Sequence, residues 1–180
     1  DVELHFALGQ ALYFGQRYVS ALEEFQWVVT RDPEFPAAQL ALGDLLYRSG
    51  KADPRRYLEA RAPLEKYTQL RPDDAKGWSV LGRTYYHLGL RDEALAAMNK
   101  AEQLGDTSKE MYRNRFRLRV DRREYEEAQK DYDRSDPEPE DQLRMAQVLV
   151  FLKQPARAES LYRQMIEQDS TSRNGKFALV

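Results

Sequence analysis

Residues 78–85 read Trp-Ser-Val-Leu-Gly-Arg-Thr-Tyr, and this stretch carries the pattern that determines the fold. Ala94 lies twelve residues after Gly82, and the same interval separates Gly9 from Ala21. Glycine and alanine at this offset predict a close crossing of two antiparallel helices, because only small side chains let two helix axes approach. Alanines recur in this frame at intervals of 39, 34, 34 and 30 residues, each followed four positions later by a large side chain: Ala21, Ala60, Ala94, Ala128 and Ala158.

The stretch at 78–85 resembles the W-x2-L-G-x2-Y signature of the tetratricopeptide repeat family, whose repeat is a helix-turn-helix of about 34 residues. Leu8-Gly9 and Leu42-Gly43 repeat its centre, and Pro33 and Pro72 stand where repeats would end. The resemblance implies an all-α fold, a right-handed helical-repeat solenoid of about five hairpins in one domain over residues 1–180. The copies are placed at 2–35, 36–74, 75–108, 109–138 and 139–172.

Three places depart from the regular repeat. The interval of 39 between Ala21 and Ala60 predicts about five extra residues in the turn of the second copy, between Gly50 and Tyr57. The fourth copy has Phe116 where glycine is expected, which leaves the register of its first helix open. Residues 173–180 are expected to begin a further helix or a cap, with apolar Phe177, Leu179 and Val180. Because the chain also starts with Asp1 and not with Met, we expect a piece of a longer protein.

Composition and motifs exclude most kinds of catalytic chemistry. The 180 residues include 28 Lys and Arg, 30 Asp and Glu and no Cys, so the net charge is -2 and no thiol is present. His5 and His87 do not form the i, i+4 pair of a helical zinc site, and no phosphate-binding glycine motif occurs. We therefore predict no enzyme activity, no catalytic residue, no metal and no cofactor. No apolar run is long enough to span a membrane.

The resemblance implies a concave binding surface on the first helices of the copies. Its side chains are expected one position after the central glycine and then three and four positions further on: Gln10, Tyr13, Phe14, Asp44, Tyr47, Arg48, Arg83, Tyr86 and His87. Tyrosine offers a broad apolar face with a hydroxyl, and arginine binds carboxylates, so the predicted partner is another protein or a peptide with acidic groups. The alternative is that these tyrosines only pack within the repeat.

The family's two-carboxylate clamp is largely missing from this sequence. Of its positions, only Lys76 fits, and the others hold Phe6, Gln10, Ala41 and Val80. We therefore do not expect recognition of a chaperone-type acidic C-terminus.

Residues 109–123 are strongly basic, with seven Lys or Arg against two acids. Arg113 and Arg117 on this segment are candidates for a docking face for nucleic acid or for an acidic partner. However, residues 124–141 carry nine acids, so pairing within the chain is the favoured interpretation and nucleic-acid binding is not expected.

The sequence thus predicts a protein-protein interaction scaffold. The alternative is a structural spacer or a self-association segment of a larger protein, with a homo-oligomer formed through the unfinished end at 177–180. Arginine outnumbers lysine 20 to 8, which favours a bacterial source.

Overall fold

The computed structural model describes the backbone of residues 1–177 and the side chains of residues 1–168. Within this part of the chain every regular element is a helix, which confirms the predicted all-α helical-repeat fold. The ten helices are α1 (Val2–Phe14), α2 (Tyr18–Arg31), α3 (Pro36–Ser49), α4 (Arg55–Leu70), α5 (Ala75–His87), α6 (Arg91–Gln103), α7 (Lys109–Asp121), α8 (Tyr125–Arg134), α9 (Pro139–Phe151) and α10 (Pro155–Phe177).

Consecutive helices pack as five hairpins, and the chain divides into two compact units. The first unit, Asp1–Thr107, contains α1 to α6, and the second, Ser108–Val180, contains α7 to α10. The division falls within one residue of the predicted border between the third and fourth copies. The single domain over 1–180 therefore stays a prediction.

The small residues of the repeat lie where two helices meet. All five frame alanines are buried. A Cβ atom added to Gly43 would lie 2.5 Å from Cγ of Leu64, and one added to Gly82 would lie 2.8 Å from Cγ of Met98. Because real Cβ atoms essentially never approach this closely, glycine at these positions lets Leu64 and Met98 pack directly on the first helix of their hairpins.

Neighbouring hairpins of the first unit meet through a second helix and the following first helix. At the junction of α4 and α5, Gly77 is covered by the Tyr67 ring, with Thr68 beside it. Asp74 caps α5 by accepting a hydrogen bond of 3.0 Å from the backbone N–H of Lys76, and it also accepts the Tyr67 hydroxyl proton in a hydrogen bond. The cap and the packing contact therefore involve the same two side chains.

The fourth hairpin keeps the register of the third. Helix α7 begins 34 residues after α5, and both helices have 13 residues. Phe116 consequently occupies the position of Gly82, and Arg115 occupies that of Leu81. The Phe116 ring is fully buried and lies 5.3 Å from the Tyr132 ring. This resolves the register that the sequence left open.

Helix α10 continues through residues 173–177, where the sequence suggested a new helix or a cap. Residues 178–180 and the side chain of Phe177 lie outside the described residues, and so does the predicted apolar end that Leu179 and Val180 would complete.

Candidate peptide-binding groove

A groove of about 430 Å³ lies in the first unit, between α1 and α3, and reaches the end of α4 and the start of α5. It forms because successive first helices stand side by side, so that the residues after each central glycine face a common space. Five of the nine predicted binding residues line it: Gln10, Tyr13, Phe14, Asp44 and Arg48.

One wall of the groove is apolar and aromatic. Phe14 is 80% exposed, and its ring meets the Tyr13 ring edge-on at 5.7 Å. Phe6 is held by the Phe35 ring at 5.0 Å, and Leu40 lines the same space. An exposed phenylalanine beside partly buried rings is typical of a surface that receives an apolar side chain of a partner.

The rim of the groove is predominantly cationic. Arg48, Arg71 and Lys76 line it, against Asp44 as the only acidic lining residue described. Nε of Arg48 donates a hydrogen bond of 2.9 Å to Asp44, which neutralises one of the three cations. Arg71 and Lys76 remain at the α4–α5 end of the groove, where Nε of Arg71 also lies 3.5 Å from a carboxylate oxygen of Asp73.

Tyr67 lines the same end of the groove. Burial of its ring raises the pKa of the phenol to about 12, and the hydrogen bond to Asp74 acts in the same direction. The phenol therefore stays protonated at neutral pH, and it adds no negative charge next to Arg71 and Lys76.

The other four predicted residues, Tyr47, Arg83, Tyr86 and His87, do not line this groove and contact one another instead. Tyr47 is only 7% exposed, with the Arg83 guanidinium 4.9 Å from its ring centre. His87 stacks on Tyr57 at 4.2 Å and lies 5.3 Å from the Tyr86 ring. The three tyrosines predicted for the binding surface thus have different surroundings: Tyr13 lines the groove, whereas Tyr47 is buried and Tyr86 lies against His87.

Three residues of the groove, Phe6, Ala41 and Arg71, are not among the binding residues predicted from the sequence. Arg71 follows the last residue of α4, whereas all predicted binding residues lie on first helices. Phe6 and Ala41 stand at positions where the family's clamp residues are missing, yet both line the groove. A spacing of four residues in the sequence indicates part of this lining: Phe6 and Gln10 are four residues apart on α1, and Leu40 and Asp44 are four residues apart on α3.

Comparison with known proteins agrees with this architecture. A family model described as the tetratricopeptide repeat matches residues 6–53 and 53–109, which is more than half of the chain. The chain belongs to the tetratricopeptide repeat family. No curated protein matches its sequence.

Solved structures of other tetratricopeptide repeat proteins have the same fold. MamA superposes with a TM-score of 0.75 at 15% identity, over 96% of this chain and 94% of that chain. A MamA fragment from Desulfovibrio magneticus RS-1 has a TM-score of 0.64 at 22% identity, over 74% of this chain and 72% of that chain. YrrB has a TM-score of 0.73 at 15% identity, over 93% of this chain and 86% of that chain. At these identities the similarity concerns the fold alone.

The basic helix α7 of this tetratricopeptide repeat protein is paired with acids of its own unit. Arg113 lies 3.0 Å from a carboxylate oxygen of Glu138, and Arg117 donates a hydrogen bond of 2.6 Å to Asp141. The hydrogen bond from Arg117 and the charge of Arg113 lower the pKa of the Glu138 carboxyl. Both candidate docking residues therefore have acidic partners within the chain, and a docking role for them stays a prediction.

Among residues 1–168, no group of three or more His, Asp or Glu side chains is arranged to hold a metal ion. In the described part of the chain, no helix combines the length and the apolar character of a membrane span.

Proposed function

We propose that the groove of the first unit binds a segment of another protein that presents a large apolar side chain together with acidic groups. Tetratricopeptide repeat proteins are in general non-enzymatic interaction scaffolds, and the absence of a reaction is part of this proposal. The observation that carries it is that one groove has the exposed Phe14 ring at one end and the cationic side chains of Arg71 and Lys76 at the other.

The two ends of the groove suit different parts of such a ligand. At the α1 end, the Phe14 ring contributes apolar area, worth about 25 cal/mol for each Å² removed from water. At the α4–α5 end, Arg71 and Lys76 attract carboxylates and orient the segment. YrrB is described as a tetratricopeptide repeat protein with an unusual peptide-binding site, which supports a peptide as the ligand class.

The test is selection of binders from a display library of random peptides, followed by affinity measurements with the selected peptides. We expect acidic sequences that contain a large apolar residue. Lys76→Glu is expected to weaken their binding at least tenfold, because it reverses a charge on the rim. Phe14→Ala is expected to weaken binding by a similar factor, because it removes the exposed apolar anchor.

Two matched controls are available in the same unit. Lys100 is an exposed lysine of α6, and Leu58 is an exposed leucine of α4; neither lines the groove. Lys100→Glu and Leu58→Ala should leave the affinity unchanged. Selected peptides that bind Lys76→Glu and Phe14→Ala as well as they bind the wild type would refute the proposal. Tyr47 is unsuitable as a probe because it is buried.

Self-association is the second candidate function. It is favoured by exposed leucines on α1, which lie outside the groove.

A further inference from the structure

The first unit has a second groove, of about 440 Å³, which lies between α2 and α4 and has α3 as its floor; we call it the α2–α4 groove. None of its described lining residues belongs to the peptide-binding groove. A volume of about 300–1,000 Å³ with a mainly apolar lining is typical of a ligand site. The apolar part of the lining consists of Val29, Leu42, Leu46, Ala62 and Pro63.

The charged side chains of the α2–α4 groove have counter-charges of their own. Glu59 lines the groove, and one of its carboxylate oxygens lies 2.6 Å from Nη1 of Arg56. Lys66 also lines the groove, and it forms an ion pair with Glu34. Because each of the two charges is balanced, this groove suits a neutral ligand.

Gln39 is the polar group on the floor of the groove. Its side chain is only 6% exposed, and its Nε2 donates a hydrogen bond of 2.9 Å to the carbonyl oxygen of Pro33. This bond leaves the oxygen of the same amide as an acceptor for a ligand. An apolar group that carries one hydrogen-bond donor therefore matches the lining.

The third hairpin carries such a group at the position of Gln39. Trp78 and Gln39 both stand four residues before the central glycine of their first helix. Nε1 of Trp78 donates a hydrogen bond of 3.0 Å to the carbonyl oxygen of Pro72, which repeats the bond from Gln39 to Pro33. The Trp78 ring is partly buried against the core. The second hairpin thus keeps the hydrogen bond and lacks the indole ring, and the α2–α4 groove lies beside the residue without the ring.

The fifth hairpin shows the same relation within the second unit. Gln142 stands at the position of Gln39, four residues before the central residue of α9, Ala146. A groove of about 200 Å³ is formed there by the residues that correspond to Leu42, Leu46, Ala62 and Pro63, namely Met145, Leu149, Ser160 and Leu161. Both hairpins with glutamine at this position therefore have a groove at the same set of positions.

We propose that the α2–α4 groove binds the side chain of a tryptophan residue that another protein presents. The indole ring packs on Leu42, Leu46 and Pro63, and its N–H donates a hydrogen bond to the amide oxygen of Gln39. Indole combines a broad apolar face with a single donor, and it is the group that the third hairpin holds at the equivalent position. This inference does not rest on the peptide-binding groove.

Titrations of the full chain followed by NMR of its methyl groups test the proposal. The probes are indole and N-acetyl-tryptophanamide, which carries the peptide groups of a residue within a chain. Both are expected to shift the methyl signals of Val29, Leu42 and Leu46. 1-Methylindole has the same ring without the N–H, and it should bind about three- to tenfold more weakly, which is the effect of one hydrogen bond.

Three variants locate the binding site. Gln39→Trp supplies the ring from the chain itself and should weaken indole binding by about tenfold or more, because a second ring does not fit into filled space. Gln142→Trp makes the same change in the second unit and should leave the titration of the Leu42 and Leu46 signals unchanged. Gln39→Met keeps the length of the side chain without the acceptor, so it should bind indole and 1-methylindole equally. Circular dichroism confirms that each variant keeps its helices.

The outcomes that would overturn the proposal are specific. They are equal affinities of the wild type for indole and 1-methylindole, indole binding to Gln39→Trp as tight as to the wild type, or no shift of the groove methyl signals. Binding of indole without binding of N-acetyl-tryptophanamide would overturn a protein as the partner. Phe14→Ala, which is expected to weaken peptide binding, should leave all these titrations unchanged, so this proposal and the proposed function fail separately.

Discussion

The pair Arg115–Asp131 of the fourth hairpin leads to a sharp stability prediction. The Arg115 guanidinium donates two hydrogen bonds to the Asp131 carboxylate, of 2.9 and 2.6 Å, and both side chains are almost fully buried. Arg119 donates a third, of 2.8 Å, to the same carboxylate. Leu81 and Ala97 occupy the corresponding positions 34 residues earlier and are buried apolar residues. An ion pair thus stands where the third hairpin has an apolar pair.

Removal of one partner is expected to be costly. Asp131→Ala removes the carboxylate that accepts two hydrogen bonds from the buried Arg115 guanidinium, and the loss of one partner of a buried ion pair costs about 3–5 kcal/mol. The double variant Arg115→Leu with Asp131→Ala restores the apolar pair of the third hairpin. It is expected to be as stable as the wild type or up to about 4 kcal/mol more stable, because neither charge then has to be desolvated. Arg119 keeps a hydrogen bond of 3.2 Å to the carbonyl oxygen of Glu127.

Urea denaturation provides the assay, followed by two signals. Both tryptophans, Trp27 and Trp78, lie in the first unit, so their fluorescence reports that unit, whereas far-ultraviolet circular dichroism reports all helices. We expect Asp131→Ala to lower the midpoint of the helical signal and to leave the fluorescence midpoint in place. Arg163→Ala, which breaks an exposed pair with Glu159, is the control and should cost about 0–1 kcal/mol. A cost below about 1 kcal/mol for Asp131→Ala, or a double variant as unstable as the single one, would refute the reasoning.

Three further changes test the packing and the electrostatics of the hairpins by the same urea assay. Gly43→Ala should cost about 1–3 kcal/mol, because the added Cβ would meet Leu64 at 2.5 Å, whereas Gly15→Ala at an exposed helix end should cost less than about 1 kcal/mol. Arg117→Ala should destabilise the second unit by about 3 kcal/mol, since buried Asp141 loses its guanidinium partner, and an unchanged midpoint would contradict this. Burial and the hydrogen bond to Asp74 raise the pKa of Tyr67 to about 12, above the value of about 10 in the unfolded chain. The protonated phenol therefore stabilises the folded state fully below pH 10, and this contribution is lost as the pH rises toward 12. Tyr67→Phe should reduce the loss of unfolding free energy between pH 10 and pH 12. An equal loss in the variant and in the wild type would contradict the raised pKa of Tyr67.

Much of the fold could be predicted from small residues alone. The interval between Gly82 and Ala94 predicts that the backbones of two antiparallel helices approach closely at these residues. Such a close approach permits few arrangements of the two helices. The pair Arg115–Asp131 could not be predicted in this way, because periodicity shows which positions face inward but not which polar side chains form hydrogen bonds with one another there. The strong charge of residues 109–123 and of 124–141 was visible in the sequence, yet their pairing depends on distances that only the folded chain supplies.

The groove could be predicted only in part, and the turn of the second hairpin shows why. Its extra residues place Tyr57 against Gly50, where a Cβ atom would clash with the Tyr57 ring, and they bring that ring to 5.7 Å from Tyr47. Tyr57 also stacks on His87, so the longer turn of the second hairpin leads into a ring that packs on both Tyr47 and His87. Position within a repeat therefore does not by itself predict which residues line the groove: of Tyr13, Tyr47 and Tyr86, which share one position, Tyr13 lines it.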